Sequence, residues 1–138
     1  MPGAEANRGG ISRVLLVEDH ADTRQMYAEF LGMEFEVVTA ANGEDALKRM
    51  RTEVPHLIVT DLSLPVMDGF ELVTQVRRDA RLQSIPIICL SGYGGHEHEQ
   101  RARAAGCDRI LQKPCMPDEL AAIVSEELAH AAKRRKNA

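Results

Sequence analysis

The stretch IVTDLSLPVMDG (residues 58–69) places one carboxylate, Asp61, between an apolar run and a turn that contains proline and glycine. Aspartate is a poor strand residue and a good turn residue, so an isolated Asp61 would simply end a strand and face water. A carboxylate at that position can also act as a nucleophile or bind a hard metal ion. Both of these roles require partners, so the rest of the sequence decides between the interpretations.

Polar residues also follow three other short apolar runs. Glu18 and Asp19 come directly after RVLLV, Ser91 comes after IPIICL, and Lys113 comes after RILQ. If these runs are parallel strands, their carboxyl ends meet at one edge of a sheet, which is where open α/β sheets bind ligands. Each residue alone is explained as well by an exposed turn or a surface cation. Their joint placement after strands favours one shared site.

The chemistry of that shared site follows from its charges. Glu18, Asp19 and Asp61 repel one another when brought together, which raises their pKa values unless a cation joins them. Mg²⁺ is the best candidate, because it binds one or a few carboxylates together with phosphate oxygens and water. Lys113 offers a positive charge and Ser91 a hydroxyl to phosphoryl oxygens. Together with a nucleophilic Asp61, these groups can form an aspartyl phosphate.

The strands that would hold these residues are five short runs rich in β-branched residues. The runs are too short for helices, and several are continuously apolar, as expected for strands covered on both faces. The longer segments between them are amphipathic. Strands that alternate with helices predict right-handed crossovers, a parallel sheet and a three-layer α/β sandwich. The predicted strands are residues 13–17, 35–40, 57–60, 85–90 and 109–112.

Local signals mark where several helices begin and end. Asn42 can cap the helix that follows it, Asp68 precedes another amphipathic segment, and Pro117 opens the last helix. The segment after Gly95 is the weakest helix candidate, because its apolar side is mostly alanine, and Gly106 can terminate it. We therefore expect the fourth helix to be the most adjustable element of the fold.

Length, composition and charge fit one ordinary globular domain. The chain has 138 residues, of which 44% are hydrophobic, and a formal net charge of −4. That charge argues against direct nucleic-acid binding by the chain as a whole, and no apolar run is long enough for membrane insertion. The basic end, KRRKNA, is either a nucleic-acid or membrane patch or a helix end whose cations suit the helix dipole, and we favour the helix end.

The cysteines and histidines give weaker signals. Cys89, Cys107 and Cys115 lack CxxC spacing, and an odd number of cysteines without a secretory signal predicts a reducing, cytoplasmic location. Cys89 is expected to be simply a small apolar core residue. His96–His98 carry no third metal ligand, so we expect a solvated helix face there. His20 is expected to be an ordinary residue of the first turn of a helix.

The chain resembles the receiver domains of response regulators in two-component signalling in four segments: VLLVEDH, DLSLPVMDGFELV, IICLSG and AAGCDRILQKP. The resemblance extends over residues 12–130. It implies a flavodoxin-like fold, with five parallel strands in the order 2-1-3-4-5 and five helices. It also implies that Asp61 accepts a phosphoryl group from a sensor histidine kinase or a histidine phosphotransfer protein.

The same resemblance assigns roles to the individual site residues. Asp19 and Asp61 would ligate Mg²⁺ directly, Glu18 would help through a water molecule, and Ser63 would contribute its backbone carbonyl. The hydroxyl and lysine positions that act on the phosphoryl group in receiver domains correspond here to Ser91 and Lys113.

The expected readout of phosphorylation departs from the common receiver pattern at one position. Receivers often carry Tyr or Phe three residues before the lysine, and this chain has Ile110 there. Because isoleucine cannot act as an aromatic switch, we expect backbone shifts around residues 91–95 instead, with Tyr93 as the candidate moving ring. The readout surface is expected on the fourth helix, the fifth strand and the fifth helix.

The resemblance also sets the expected organisation of the chain. We expect a flexible leader over residues 1–10, a receiver domain over 11–132 and a basic tail over 133–138. Such a domain is a switch rather than an enzyme, apart from phosphorylating and dephosphorylating itself. A monomer or a phosphorylation-dependent dimer would act on an unknown downstream protein. No output domain follows, which leaves open a stand-alone regulator or a receiver from a longer protein such as a hybrid kinase.

Two alternative functions start from the same residues. One is a scaffold that works without phosphorylation, although such a scaffold has no need of Asp61 and Lys113 together. The other is a phosphatase with an aspartyl nucleophile, similar to haloacid-dehalogenase-like enzymes. Those enzymes carry an acid two residues after the nucleophile, where this chain has Ser63, so the general acid is missing.

Overall fold

A computed structural model describes residues 10–92 and 95–136 of the chain. Strands and helices alternate, and the strands form one parallel sheet in the order β2-β1-β3-β4-β5, which confirms the predicted flavodoxin-like arrangement. The elements are β1 (Arg13–Val17), α1 (Ala21–Leu31), β2 (Glu36–Ala40), α2 (Gly43–Thr52), β3 (Leu57–Asp61), α3 (Gly69–Arg78), β4 (Ile87–Ser91), α4 (His96–Ala105), β5 (Arg109–Gln112) and α5 (Pro117–Lys136).

Two strands end later than the apolar pattern predicts. Asp61 and Ser91 are the last residues of β3 and β4 rather than the first residues after them. The reason is the parallel register, in which Asp61 lies opposite Leu90, and Ser91 lies opposite Gln112. Both polar residues are therefore fixed by the sheet itself and not by a loop.

Helices cover both faces of the sheet, and β3 and β4 are buried along their whole length. On one face, Ile58 belongs to a core that includes Leu72 of α3. On the other face, Val59 belongs to a core that includes Leu31 of α1 and Leu120 of α5. Neighbouring residues of β3 thus point into opposite cores, which explains why this strand is continuously apolar up to its last residues.

The predicted cap at Asn42 is confirmed, and the structure shows a second cap of the same kind at Asp68. Asn42 Oδ1 accepts the backbone N–H of Asp45 at 2.9 Å, and Asp68 Oδ1 accepts that of Glu71 at 2.9 Å. Each bond satisfies a donor that the first helical turn leaves unpaired. α5 begins at Pro117, as predicted.

The fourth helix is held by few contacts, as its sequence indicates. Ala102 is the one residue of α4 that is buried. The helix ends at Gly106, whose φ of 124° suits glycine. A Cβ there would lie 2.5 Å from Arg77 Cγ. Arg77 Nε donates to the Gly106 carbonyl at 3.0 Å, and its Nη2 pairs with Asp108 at 2.9 Å. These contacts secure the end of α4 more than its body.

The cysteines correct one prediction. Cys89 is fully buried in the core, as expected, but it is not a simple apolar residue, because it forms a disulfide with Cys107. The pairing follows from topology: Cys107 lies just before β5, which runs beside β4, and the two Cα atoms are 6.5 Å apart. Cys115 is free and buried. The odd cysteine count predicts reduced thiols, and the disulfide shows that this prediction is wrong for Cys89 and Cys107.

Some predictions concern the ends of the chain or residues near α4. The expected leader over residues 1–10 lies outside the described residues except for Gly10, and Tyr93 lies outside them as well. The first residues of the basic tail, 133–136, belong to the last turn of α5. Within the described ranges, no helix combines the length and apolar character that a membrane crossing requires.

Candidate functional site

The carboxylate of Asp61 sits at the end of the central strand, in a position fixed from several sides. β3 pairs with β1 on one side and with β4 on the other, and Asp61 is only 5% exposed. The chain then turns back tightly, since the Gly69 N–H donates to the Leu62 carbonyl at 3.0 Å. A Cβ on Gly69 would lie 2.7 Å from Leu62 Cα and closer still to the Asp61 carbonyl oxygen. Glycine is therefore required for this turn beneath the carboxylate.

Lys113 makes the most direct contact with that carboxylate. Its Nζ lies 2.6 Å from Asp61 Oδ2 and 3.2 Å from Glu18 Oε1. The lysine backbone is held in place because its N–H donates to the Ser91 carbonyl at 2.8 Å, and a cis peptide bond to Pro114 follows. Burial lowers the pKa of Lys113, but the hydrogen bonds and charges of the two carboxylates outweigh it, so the pKa is raised overall.

The three predicted carboxylates come together around this lysine. One oxygen from each of Glu18, Asp19 and Asp61 lies within 4.8 Å of the others. Burial, followed by the charge of Asp61, raises the pKa of Glu18, while the His20 backbone N–H and Lys113 partly oppose that shift. Three hard oxygen ligands against one lysine leave excess negative charge, which suits a divalent cation such as Mg²⁺.

The structure also places the two predicted serines at this edge. Ser91, at the end of β4, is 4% exposed and lies in the strand beside Asp61. The Ser63 N–H donates to Asp61 Oδ1 at 3.3 Å, which helps to fix the carboxylate. A ligand role for the Ser63 carbonyl stays a prediction. Every predicted site residue thus belongs to one edge of the sheet.

Sequence reasoning missed a cation that supports the acidic loop. Arg24 Nη1 donates to the backbone carbonyl of Glu18 at 2.8 Å and to that of Asp19 at 3.4 Å. An arginine in the first turns of the helix that directly follows two acids was the available signal. His20, in contrast, is exposed and contributes its backbone N–H to Glu18 Oε2 at 3.0 Å, so it is an ordinary residue at the helix start, as expected.

Sequence reasoning also missed one wall of the site. A cleft of about 380 Å³ beside Asp61 and Lys113 is lined on its other side by Phe70, His98 and Arg101. The expectation of a solvated face is wrong for His98, whose ring packs edge-on against the ring of Phe70 with centroids 4.9 Å apart. The spacing of three residues between His98 and Arg101, which places both on one side of a helix, was the available signal.

Comparison with known proteins identifies the family to which this arrangement belongs. A family model described as the response regulator receiver domain matches residues 14–125. The chain belongs to the response regulator receiver family. As a receiver domain, it is part of two-component signalling, and receiver domains are in general signalling domains rather than enzymes.

Relatives of this receiver domain differ in length. Response regulator Rre1 from Synechocystis is 36% identical over 118 residues, which cover 84% of this chain but only 51% of Rre1. An uncharacterized 14.6 kDa protein from Leptolyngbya boryana is 38% identical over 114 residues, covering 82% of this chain and 87% of that protein. This chain therefore spans about half the length of Rre1 and most of the Leptolyngbya protein.

Solved structures agree with the fold of this receiver domain. The crystal structure of a CheY-like response regulator receiver domain protein from Methanospirillum hungatei has a TM-score of 0.83 at 27% identity, covering 90% of this chain and 98% of that one. Receiver domains bind Mg²⁺ at an acidic pocket, and the cluster of three carboxylates lies in the corresponding kind of pocket here. Hybrid signal transduction histidine kinase D from Dictyostelium discoideum is 35% identical over 111 residues, which cover 80% of this chain and 7% of that protein.

Proposed function

We propose that this receiver domain takes a phosphoryl group onto Asp61 from a sensor histidine kinase or a histidine phosphotransfer protein. The single observation that supports this most strongly is the 2.6 Å contact between Lys113 Nζ and Asp61 Oδ2. The contact joins a buried carboxylate to a cation that lies 52 residues away in the sequence. An ordinary surface ion pair requires neither this burial nor the two neighbouring acids.

The transfer uses groups that are already in position. An oxygen of Asp61 attacks the phosphorus atom, and the bond from phosphorus to the donor breaks. The Asp61 carboxylate then no longer carries the negative charge that Lys113 contacts, and Lys113 contacts the phosphoryl oxygens instead. The Ser91 hydroxyl, in the adjacent strand, donates to another of these oxygens. Both residues therefore change partners when the aspartyl phosphate forms.

The acidic cluster would hold Mg²⁺ during this transfer. Asp19 and Asp61 would bind it directly, Glu18 through water, and Ser63 through its backbone carbonyl. When bound, the ion supplies positive charge to phosphoryl oxygens that would otherwise be repelled by three carboxylates. The raised pKa of Glu18 supports this role, because its burial beside Asp61 makes the ionised form costly without a further cation.

We propose that the face formed by α4, β5 and α5 transmits the change to a downstream protein. Ser91 ends the strand that leads into α4, and Lys113 follows β5, so both moving groups adjoin this face. Ile110 of β5 is partly buried against the core beneath α3 and has no polar group that could follow the phosphate. Backbone adjustment of residues 91–95 is therefore the proposed route, and only a partner with different affinity for the two states can read it.

The proposal also includes the location, the oligomeric state and the boundaries of the domain. A cytoplasmic location suits a domain that receives phosphate from a kinase. The domain would act as a monomer or as a phosphorylation-dependent dimer, with no direct contact to nucleic acid. Its boundaries would be residues 11–132.

The test of this proposal is labelling of the full chain by phosphoramidate with Mg²⁺, measured as a gain of one phosphoryl group in intact mass. Asp61→Asn removes the nucleophile with almost no change in shape and should abolish labelling. Asp22→Asn is the matched control, because Asp22 is an exposed carboxylate at the start of α1, and should label like the wild type.

Three outcomes separate the proposed function from its alternatives. Labelling that persists on the wild type and disappears in excess EDTA supports a phosphoacceptor that depends on a divalent cation. Rapid, repeated release of inorganic phosphate would instead indicate a phosphatase. Absence of labelling on the wild type, or full labelling of Asp61→Asn, would contradict the assignment of Asp61.

A further inference from the structure

The cleft beside Asp61 contains cationic side chains that the proposed phosphoryl site does not use. Its volume is about 380 Å³, which is near the lower end of the range for small-molecule sites. Asp61 and Lys113 line it from the sheet edge, and His98 and Arg101 line it from α4. A small molecule in this cleft would therefore contact the phosphoacceptor and α4 at the same time.

A buried ring orients both residues of α4. Phe70, only 7% exposed, lies in the first turn of α3. The guanidinium carbon of Arg101 lies 3.9 Å from its ring centroid, and the ring of His98 packs against it at 81°. Because the ring occupies one face of the guanidinium, the N–H groups around the edge of Arg101 stay available to an anion.

The charge of Arg101 lies at the cleft without a carboxylate partner in the part of the chain that the structure describes. Among the described residues, no carboxylate forms an ion pair with it, and the side chain is exposed at the cleft. Arg103, two residues further along the same helix, behaves differently, because its guanidinium pairs with Glu99 at 3.8 Å. The two arginines thus share a helix and a charge but differ in their surroundings.

We propose that Arg101, assisted by His98, binds the anionic leaving group of a small acyl phosphate donor in this cleft. The proposal rests on the proposed function, since it needs Asp61 as the nucleophile. An oxygen of Asp61 forms the new bond to phosphorus, and the bond between phosphorus and the acyl oxygen breaks. The electron pair of that bond leaves with the carboxylate product, so the step needs no proton and no further reactant.

The geometry of phosphoryl transfer gives Lys113 and Arg101 different roles. The attacking and leaving oxygens lie roughly in line on opposite sides of phosphorus. Lys113 contacts Asp61 directly, so it is placed to serve the phosphoryl oxygens beside the nucleophile. The leaving group departs away from Asp61, into the space of the cleft. Arg101 belongs to that wall and can bind the carboxylate that emerges there.

The experiment compares the rates at which two donors label the full chain. Acetyl phosphate releases an anion, acetate, whereas phosphoramidate releases ammonia. Arg101→Gln should slow labelling by acetyl phosphate about five-fold, the most that an exposed ion pair usually contributes, and should leave labelling by phosphoramidate nearly unchanged. His98→Gln should have a smaller effect in the same direction, and Arg101→Lys should restore part of the rate.

Arg103→Gln is the matched control, because it removes the same charge from the same helix outside the cleft. It should leave the ratio of the two rates at the wild-type value. If Arg101→Gln slows both donors equally, or slows neither, the leaving-group site is overturned, since a purely structural role in packing α4 on Phe70 does not distinguish donors. If the wild type is labelled by neither donor, the proposed function itself fails and this inference fails with it.

Discussion

The helices α3 and α4 flank the same cleft and have the same length of ten residues, yet they are held very differently. α3 buries five residues and begins with a side-chain cap from Asp68. α4 buries only Ala102, and its N-cap residue, Gly95, provides no side-chain bond. The contacts that secure α4 lie at its C-terminal end and against Phe70.

The firm packing of α3 and the loose packing of α4 suit two different roles in the proposed function. In the proposed function, Asp61 requires a fixed position as the nucleophile, and α3 supports it through the turn beneath the carboxylate. The proposed readout requires an element that can move at low free-energy cost, and elements with few buried apolar contacts open most easily. The contrast therefore predicts that changes beneath α3 will damage stability and phosphorylation together, whereas changes at α4 will alter its mobility.

The largest effect is expected from Gly69→Ala at the start of α3. A Cβ there meets the backbone of Asp61 and Leu62, which cannot move aside without displacing the site. We expect a loss of about 4 kcal/mol in the free energy of unfolding, measured by urea denaturation, with slower phosphoramidate labelling. Gly95→Ala is the control at α4, because a Cβ there meets no atom within 4 Å, and it should be nearly neutral. Equal losses in both variants would contradict the conclusion that the start of α3 is packed more tightly than the start of α4.

Removal of the disulfide should come next in size and should affect α4. The bond joins Cys89 to Cys107 across a sequence separation of 18 residues. Cys107→Ser should lower the free energy of unfolding by about 3 kcal/mol, because the unfolded chain regains the freedom that the loop removes. Amide hydrogen exchange should then accelerate in α4 more than in α3. Reduction of the wild type should reproduce the effect, and an unchanged exchange pattern would show that the disulfide does not restrain α4.

A stabilising change is expected in the loop before α3. Val66 has a φ of 66°, which is unfavourable for a β-branched residue, and its side chain is 77% exposed. Val66→Asn should raise the free energy of unfolding by about 1 kcal/mol, because asparagine tolerates this conformation. Met33→Asn is the control, since Met33 is 76% exposed without a positive φ. If both variants gain the same stability, the gain comes from replacing an exposed apolar side chain and not from relief of backbone strain at Val66.

The smallest effect concerns the thiol of Cys115, two residues after Lys113. Burial, the charge of Glu119 and a hydrogen bond to it raise the pKa of the Cys115 thiol to about 11. The folded protein therefore holds this proton more tightly than the unfolded chain, so its contribution to stability is present below about pH 8.5 and is lost as the pH rises towards 11. Alkylation of Cys115 by iodoacetamide should be slow at pH 8 and should accelerate with pH up to that value. Rapid alkylation at pH 8 would indicate that the segment around Cys115 opens readily although the thiol is buried.

The parallel strands, the cap at Asn42 and the location of the acidic cluster could be predicted from the amino-acid sequence. These features depend on local patterns, since an apolar run defines a strand and the residues at its end must lie at the edge of the sheet. Asp61, Glu18 and Lys113 could therefore be assigned to one site before any distance was known. The cap of Asn42 and the stop at Gly106 are equally local signals.

Contacts between side chains of different elements became known only from the folded structure. The spacing of His98 and Arg101 indicates only that both lie on one side of a helix, and it does not identify Phe70 as the ring they pack on. The spacing of Cys89 and Cys107 likewise does not predict their disulfide. Such contacts depend on the rotation of each helix about its axis and on its depth against the sheet. These are set by the packing of whole cores, and no local pattern of residues encodes them.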